Sequence, residues 1–210
     1  MNKLTGRLLT HLGLTAVTVA TLYPLMLVLR IAVSPGQGFD ADLSPIPDTV
    51  TLDNFTAVVS EMTPEGEWLF GRQLFNSAVI AIATTILGIV LATTAGYAFS
   101  RFTFPGQRAG LMAFLVSQMF PGVMMMIPLY LVLQHLGLLD APLGLILVYA
   151  TTSIPFCVWM LKGYFDTIPR ELEESAIIDG ASRFTIFWRI MLPLSMPAVA
   201  VTALFSFMTA

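Results

Sequence analysis

Charge is what this sequence has least of. Only 11% of its 210 residues are Asp, Glu, Lys or Arg, against 56% hydrophobic ones, whereas a soluble domain carries about 25% charged residues. Water is therefore not the solvent for most of its surface. Cysteine is reduced to Cys157 inside an apolar run, which excludes a disulfide framework and a cysteine metal cluster and leaves a buried small hydrophobe. His135 has no carboxylate or cysteine at ligand spacing and is expected as an interfacial histidine, so no metal site is drawn. There is no H-E-x-x-H and no Gly-rich loop leading into Lys-Ser/Thr, so neither a zinc hydrolase nor a self-contained ATP site can be built. The apolar runs carry no carboxylate, which removes the usual means of intramembrane catalysis. No enzyme activity and no nucleic-acid partner are expected.

Long apolar runs are what is present. Met1 to Thr10 is expected as a short tail with Lys3 and Arg7, followed by a span from Leu12 to Val33, long enough for a hydrocarbon core of about 30 Å. It is too long for a signal h-region and lacks an A-x-A-like exit, so it is a retained anchor. Pro24 can kink it, and Arg30 is expected to snorkel outward. Residues 34–72 form a polar loop with four Pro and seven acids against the single Arg72; a short helix is expected over 49–60, with Trp68 and Phe70 as interface anchors. Leu74 to Ser100 is the second span, where Ala81, Thr85, Gly88, Ala92 and Gly96 give a small-residue face for close packing. Asn76 and Ser77 near its start are expected to make a polar contact between helices.

Ala109 to Gln134 is the third span, with Pro121, Gly122 and Pro128 around the run Val123-Met124-Met125-Met126-Ile127. Irregular backbone at membrane depth is tolerated where it faces protein or a water-filled path; the methionines suit adaptable packing or a pliant path surface. Leu143 to Leu161 is the fourth span, with a polar band at Tyr149, Thr151, Thr152 and Ser153. A fifth runs from about Ile190 to Ala210, opened by Pro193 and Pro197. Pro121, Gly122, Met125, Tyr149 and Thr152 are the candidates for lining a path.

Between the fourth and fifth runs lies the one long charged stretch, Thr167 to Pro197. Pro169 suits a first helical turn, and Glu171, Glu173 and Glu174 complement the N-terminal end of the dipole. Leu172, Ala176 and Asp179 are expected on one face. Gly180 sits where a helix stops through a left-handed residue. Ser182 can cap a second helix with Phe184, Phe187, Trp188 and Met191 as its bulky side. A lipid-surface helix would be basic; this one carries three Glu and Asp179 against Arg170, which favours a protein partner.

Glu174, Ala176, Gly180, Ile190, Leu192 and Pro193 follow E-x-A-x3-G-x9-I-x-L-P, a pattern met by chance on the order of once in ten million starting points at ordinary residue frequencies. The stretch resembles the cytoplasmic loop of permease subunits of binding-protein-dependent ABC importers, most like the maltose-type carbohydrate branch. Ser175 stands where that family has the second residue of its Glu-Ala-Ala triplet. Further likeness lies in Ile127-Pro128-Leu129-Tyr130, Leu136-Gly137-Leu138, the turn Arg101 to Arg108 and the pair Asn76-Ser77.

The resemblance implies an all-α polytopic membrane fold: five transmembrane helices of a six-helix permease, as one domain over residues 1–210. A helix-turn-helix coupling loop would cover about 162–190. It implies docking of a cytoplasmic ABC ATPase dimer through Leu172, Glu173, Glu174, Ser175, Ala176, Asp179 and Gly180. It further implies a homologous second permease, an extracytoplasmic solute-binding protein and a sugar substrate. No cofactor is expected on this chain; ATP and Mg would sit on the ATPase. The alternative reading is a membrane scaffold or passive channel without active transport.

Orientation follows from positive residues. With the N-terminus inside, Lys3, Arg7, Arg101, Arg108, Lys162, Arg170, Arg183 and Arg189 are cytoplasmic, and only Arg30 and Arg72 lie outside. A multi-pass protein of the inner (cytoplasmic) membrane is expected. Members of the family normally continue into a sixth span and a tail, so the end at Ala210 is expected to be a truncation.

Overall fold

The computed structural model describes residues 3–36 and 44–210; Asp40 and Asp42 of the polar loop lie outside the described residues. Those residues are helical apart from turns, loops and one isolated bridge, Met62 to Trp68. The chain divides into two units, Met1–Leu74 and Phe75–Ala210.

In the first unit, α1 covers Lys3–Val33 and α2 covers Asp53–Ser60. The expected tail is thus mostly helical. Arg30 does not snorkel: it is buried, and its Nη1 donates to the Ser44 carbonyl at 2.8 Å. The reason is local. A helix end leaves its last carbonyls unpaired, and the chain folds back to satisfy them. Asn54 Nδ2 donates to the carbonyls of Ile31, Ala32 and Ser34 at 3.3, 3.2 and 2.8 Å, and Thr51 N to that of Val33 at 2.7 Å. Trp68 turns its Nε1 to the Val59 carbonyl at 2.6 Å while its ring lies 6.2 Å from that of Phe70.

The second unit is built from α3 (Leu69–Arg101, which starts in the first), α4 (Gln107–Met119), α5 (Gly122–Leu136), α6 (Pro142–Thr167), α7 (Glu171–Ile178), α8 (Arg183–Ile186), α9 (Leu192–Leu194) and α10 (Met196–Thr209). Helix α6 is its centre: Cys157, Val158, Leu161 and Phe165 are fully buried. Small residues let α3 lie against it. A Cβ on Gly96 would meet Leu161 Cβ and the Lys162 nitrogen at 3.1 Å, and one on Gly88 would meet Ser206 Oγ of α10 at 3.2 Å and Ser153 Oγ of α6 at 3.8 Å. Of the expected stripe, Thr85 is only half-buried; Thr84 takes the inner position, as the 3.6-residue period sets once Ala81 and Gly88 face inward. Asn76 and Ser77 are exposed. Helices α4 and α10 run opposite to α6. Gln118 and Trp159 bridge α4 to α6 through bonds of 3.3 Å to the Thr152 and Leu111 carbonyls, and Phe156 stacks on Phe205 at 4.3 Å.

Two expected spans are not single straight helices. The third is α4 and α5 meeting at 106°. Phe120 is extended ahead of Pro121, as a residue before proline prefers, and Pro121 withholds a helical N–H. Helix α5 carries no buried residue, and Met124 and Met126 are 67% and 65% exposed. The methionine run therefore does not pack against this chain's core. The fifth begins as a π turn, Phe187–Met191, runs through α9 and bends by 76° at Ser195 into α10. Pro197 occupies the first turn of α10, where the missing N–H costs nothing, whereas Pro193 follows the π turn within a continuous run of helical backbone. Among the described residues, three helices are long and apolar enough to cross a bilayer, or five when each bent pair counts as one span.

Candidate docking site

Helix α6 runs six residues beyond its expected end, helped by Lys162 Nζ donating to Asp166 Oδ2 at 2.6 Å one turn on. Ile168 is extended before Pro169, which ends the helix. Pro169 itself stands outside α7, whose N-cap is Arg170. The other end of α7 closes as its sequence demands. Gly180 has φ +84°, Gly180 N donates to the Ile177 carbonyl at 3.0 Å, and Ala181 N to that of Ala176 at 2.9 Å. These are the paired bonds of a Schellman stop, where a left-handed residue favours glycine. Ser182 Oγ then accepts from Thr185 N at 3.2 Å and caps α8. The helix–turn–helix expected over this stretch is present.

Its faces differ from expectation. Glu173 and Ala176 are buried, whereas Leu172 is 44% exposed, and Glu174, Ser175 and Asp179 are exposed. Leu172, Ala176 and Asp179 follow one another along one edge of α7, as helical periodicity sets, but of the three only Ala176 is buried; Glu173 shares the inner side with it. The bulky side of the second helix is also split. Phe187 and Met191 are buried, and Phe184 and Trp188 are 73% and 52% exposed.

What draws Glu173 inward is Arg101, the last residue of α3. The Arg101 guanidinium forms a buried ion pair with the Glu173 carboxylate. Its Nη2 donates to the Ile168 carbonyl at 2.8 Å, on the linker between α6 and α7. Tyr97, one turn back on α3, donates its hydroxyl to Glu173 Oε2 at 2.9 Å. Ser100 Oγ donates to Asp166 Oδ1 at 2.6 Å, joining the ends of α3 and α6. Aromatic rings close over the cluster: Tyr97 lies 5.8 Å from Phe102 and Phe165 and 5.1 Å from Phe187. Arg183 sits over the Phe102 ring at 5.2 Å. With both side chains under a tenth exposed, the pair is worth keeping only because every remaining polar atom is matched.

Of the candidate path residues, Pro121 and Gly122 form the α4–α5 elbow and are exposed, as is Met125; Tyr149 is half-buried and Thr152 exposed on α6. The Gln118–Thr152 bond sets the end of α4 beside the polar band of α6. Tyr97, Ser100, Arg101, Lys162 and Asp166 were not singled out by sequence reasoning as members of a site. The available signal was Tyr97, Ser100 and Arg101 at i, i+3 and i+4, a polar edge closing an otherwise apolar helix.

The fold and this loop define a polytopic helical membrane protein that presents a short acidic helix at the ends of its spans. The family model described as binding-protein-dependent transport system inner membrane component matches residues 84–210. The maltodextrin transport system permease protein MdxG of Bacillus subtilis is 37% identical over 99% of this chain and 74% of its own length. The galactooligosaccharides transport system permease protein GanQ of the same organism is 36% identical over 95% of this chain and 69% of its own. A crystal structure of a bacterial ABC transporter involved in the import of the acidic polysaccharide alginate superposes with TM-score 0.71 at 23% identity, covering 98% of this chain and 70% of that one. The chain belongs to the family of binding-protein-dependent transport system inner membrane components, the permeases of ABC importers.

Proposed function

We propose that this permease is one of two homologous subunits that form the path of an ATP-driven oligosaccharide importer. The observation that carries the substrate class is the run of relatives whose names specify oligosaccharide transport, matched over nearly the whole chain. Within that reading the N-terminus is cytoplasmic, and α7 docks a cytoplasmic ATPase dimer through its exposed Leu172, Glu174, Ser175 and Asp179. ATP and Mg belong to those partners, since this sequence offers no phosphate loop of its own. A solute-binding protein delivers the sugar from outside. Closure of the ATPases moves the docking helix, and the spans pivot to open the path alternately to each side. Residues Pro121, Gly122, Met125, Tyr149 and Thr152 border that path where the elbow meets the polar band.

Deletion of the gene followed by uptake of radiolabelled maltodextrins and galactooligosaccharides tests this reading. Loss of uptake of at least one, restored by the wild-type gene and abolished by ATP depletion, is expected. Unchanged uptake of both would overturn the oligosaccharide assignment.

A further inference from the structure

Helix α7 hangs from α6 by three residues, Ile168 to Arg170, and a short linker of that kind can absorb a push without passing it on. The structure closes this gap with one side chain. Arg101, at the end of α3, reaches Glu173 in α7 and the Ile168 carbonyl in the linker at the same time. Arg170 Nη2 makes a longer return bond of 3.4 Å to the Ser100 carbonyl. Only a guanidinium has the fork of donors to serve both partners; a lysine has a single ammonium at its tip. Tyr97 fixes the second carboxylate oxygen, so Glu173 cannot swing away while Arg101 remains.

We propose that Arg101 and Glu173 are positioning residues that clamp the docking helix to α3, so that displacement of α7 is delivered to α3 and not taken up by the 168–170 linker. The proposal deepens the docking reading of α7 and rests on it for its functional consequence. The clamp itself is a property of this chain alone. It assigns opposite duties to two adjacent glutamates: Glu173 holds α7 to its own subunit, and Glu174 faces outward. It also explains why an apolar helix ends in Tyr97, Ser100 and Arg101. All three are turned to the loop rather than to solvent.

The test separates positioning from folding. Spin labels at Ile178→Cys, 85% exposed on α7, and at Thr94→Cys, exposed on α3, report the distance between the two helices in the full chain in lipid nanodiscs. Cys157 is fully buried and stays unlabelled. The paired variant Arg101→Met/Glu173→Leu replaces a buried ion pair by apolar groups of similar size, an exchange that often preserves stability. The expected result is a single narrow distance in the wild type, and in the paired variant a distribution at least twofold broader at an unchanged thermal midpoint. A distribution as narrow as the wild type's in the paired variant overturns the clamp, as does a broad one in the wild type. Should the paired variant not accumulate, Arg101→Lys keeps the charge but loses the fork, and the same broadening or its absence decides. Co-purification of an ATP-binding subunit with the wild type is scored separately. Its absence removes the docking reading, while the distance measurement still decides the clamp.

Discussion

Glu173 and Glu174 are neighbours in sequence and opposites in circumstance. One is buried, ion-paired to Arg101 and bonded to Tyr97; the other is exposed on the same eight-residue helix. Two identical side chains one position apart differ by about 100° around a helix, and that rotation separates internal attachment from external contact. An acidic helix is therefore not a uniform surface.

The greatest loss is expected from Glu173→Ala. It strands a buried guanidinium, and loss of one partner of a buried pair costs about 3–5 kcal/mol. A sharp fall in thermal midpoint and membrane abundance is expected, read by detergent-solubilised melting and immunoblotting. Gly96→Val attacks the inner face from the side of α3. With Leu161 Cβ and the Lys162 nitrogen only 3.1 Å from an added Cβ, overpacking of about 1–3 kcal/mol is expected, visible as a lowered melting midpoint. Gly180→Val has open space around its Cβ, so its effect is backbone strain alone at φ +84°, about 1–3 kcal/mol. Insertion should continue, while uptake per ATP hydrolysed falls because the angle between α7 and α8 is lost; normal coupled uptake would count against the role given to Gly180. Glu174→Gln is the mildest for the fold. A shift within about 0.5 kcal/mol is expected for an exposed position, with reduced retention of the ATPase on an affinity column. Equal stability losses at 173 and 174 would erase the distinction between the two faces.

Much of the fold was legible in the residues. Apolar run lengths gave the spans, the Gly88 and Gly96 spacing gave the close side of α3, and Gly180 with Ser182 gave the turn and the cap. These features are local, and periodicity or backbone conformation decides them. The breaks at Pro121 and Ser195 were marked by proline. Their angles were not, because a proline removes a bond without saying where the chain goes next. The inward turn of Glu173 was not legible, for a different reason. Periodicity grouped Leu172 with Ala176 and Asp179, but the burial of Glu173 is set by a cation 72 residues earlier in sequence. Arg101 was counted as one more positive charge in a hairpin, and nothing near it in sequence names Glu173 as its partner.

Contact between the outer face of α7 and an ATP-binding subunit can be read out by site-specific photocrosslinking. A photoreactive residue placed in turn at Leu172, Ser175 and Ala176 of the full chain samples both faces in native membranes. Adducts to an ATP-binding protein from Leu172 and Ser175, with none from Ala176, are the predicted result. No such adduct from either outer position, or equal adducts from Ala176, would contradict it.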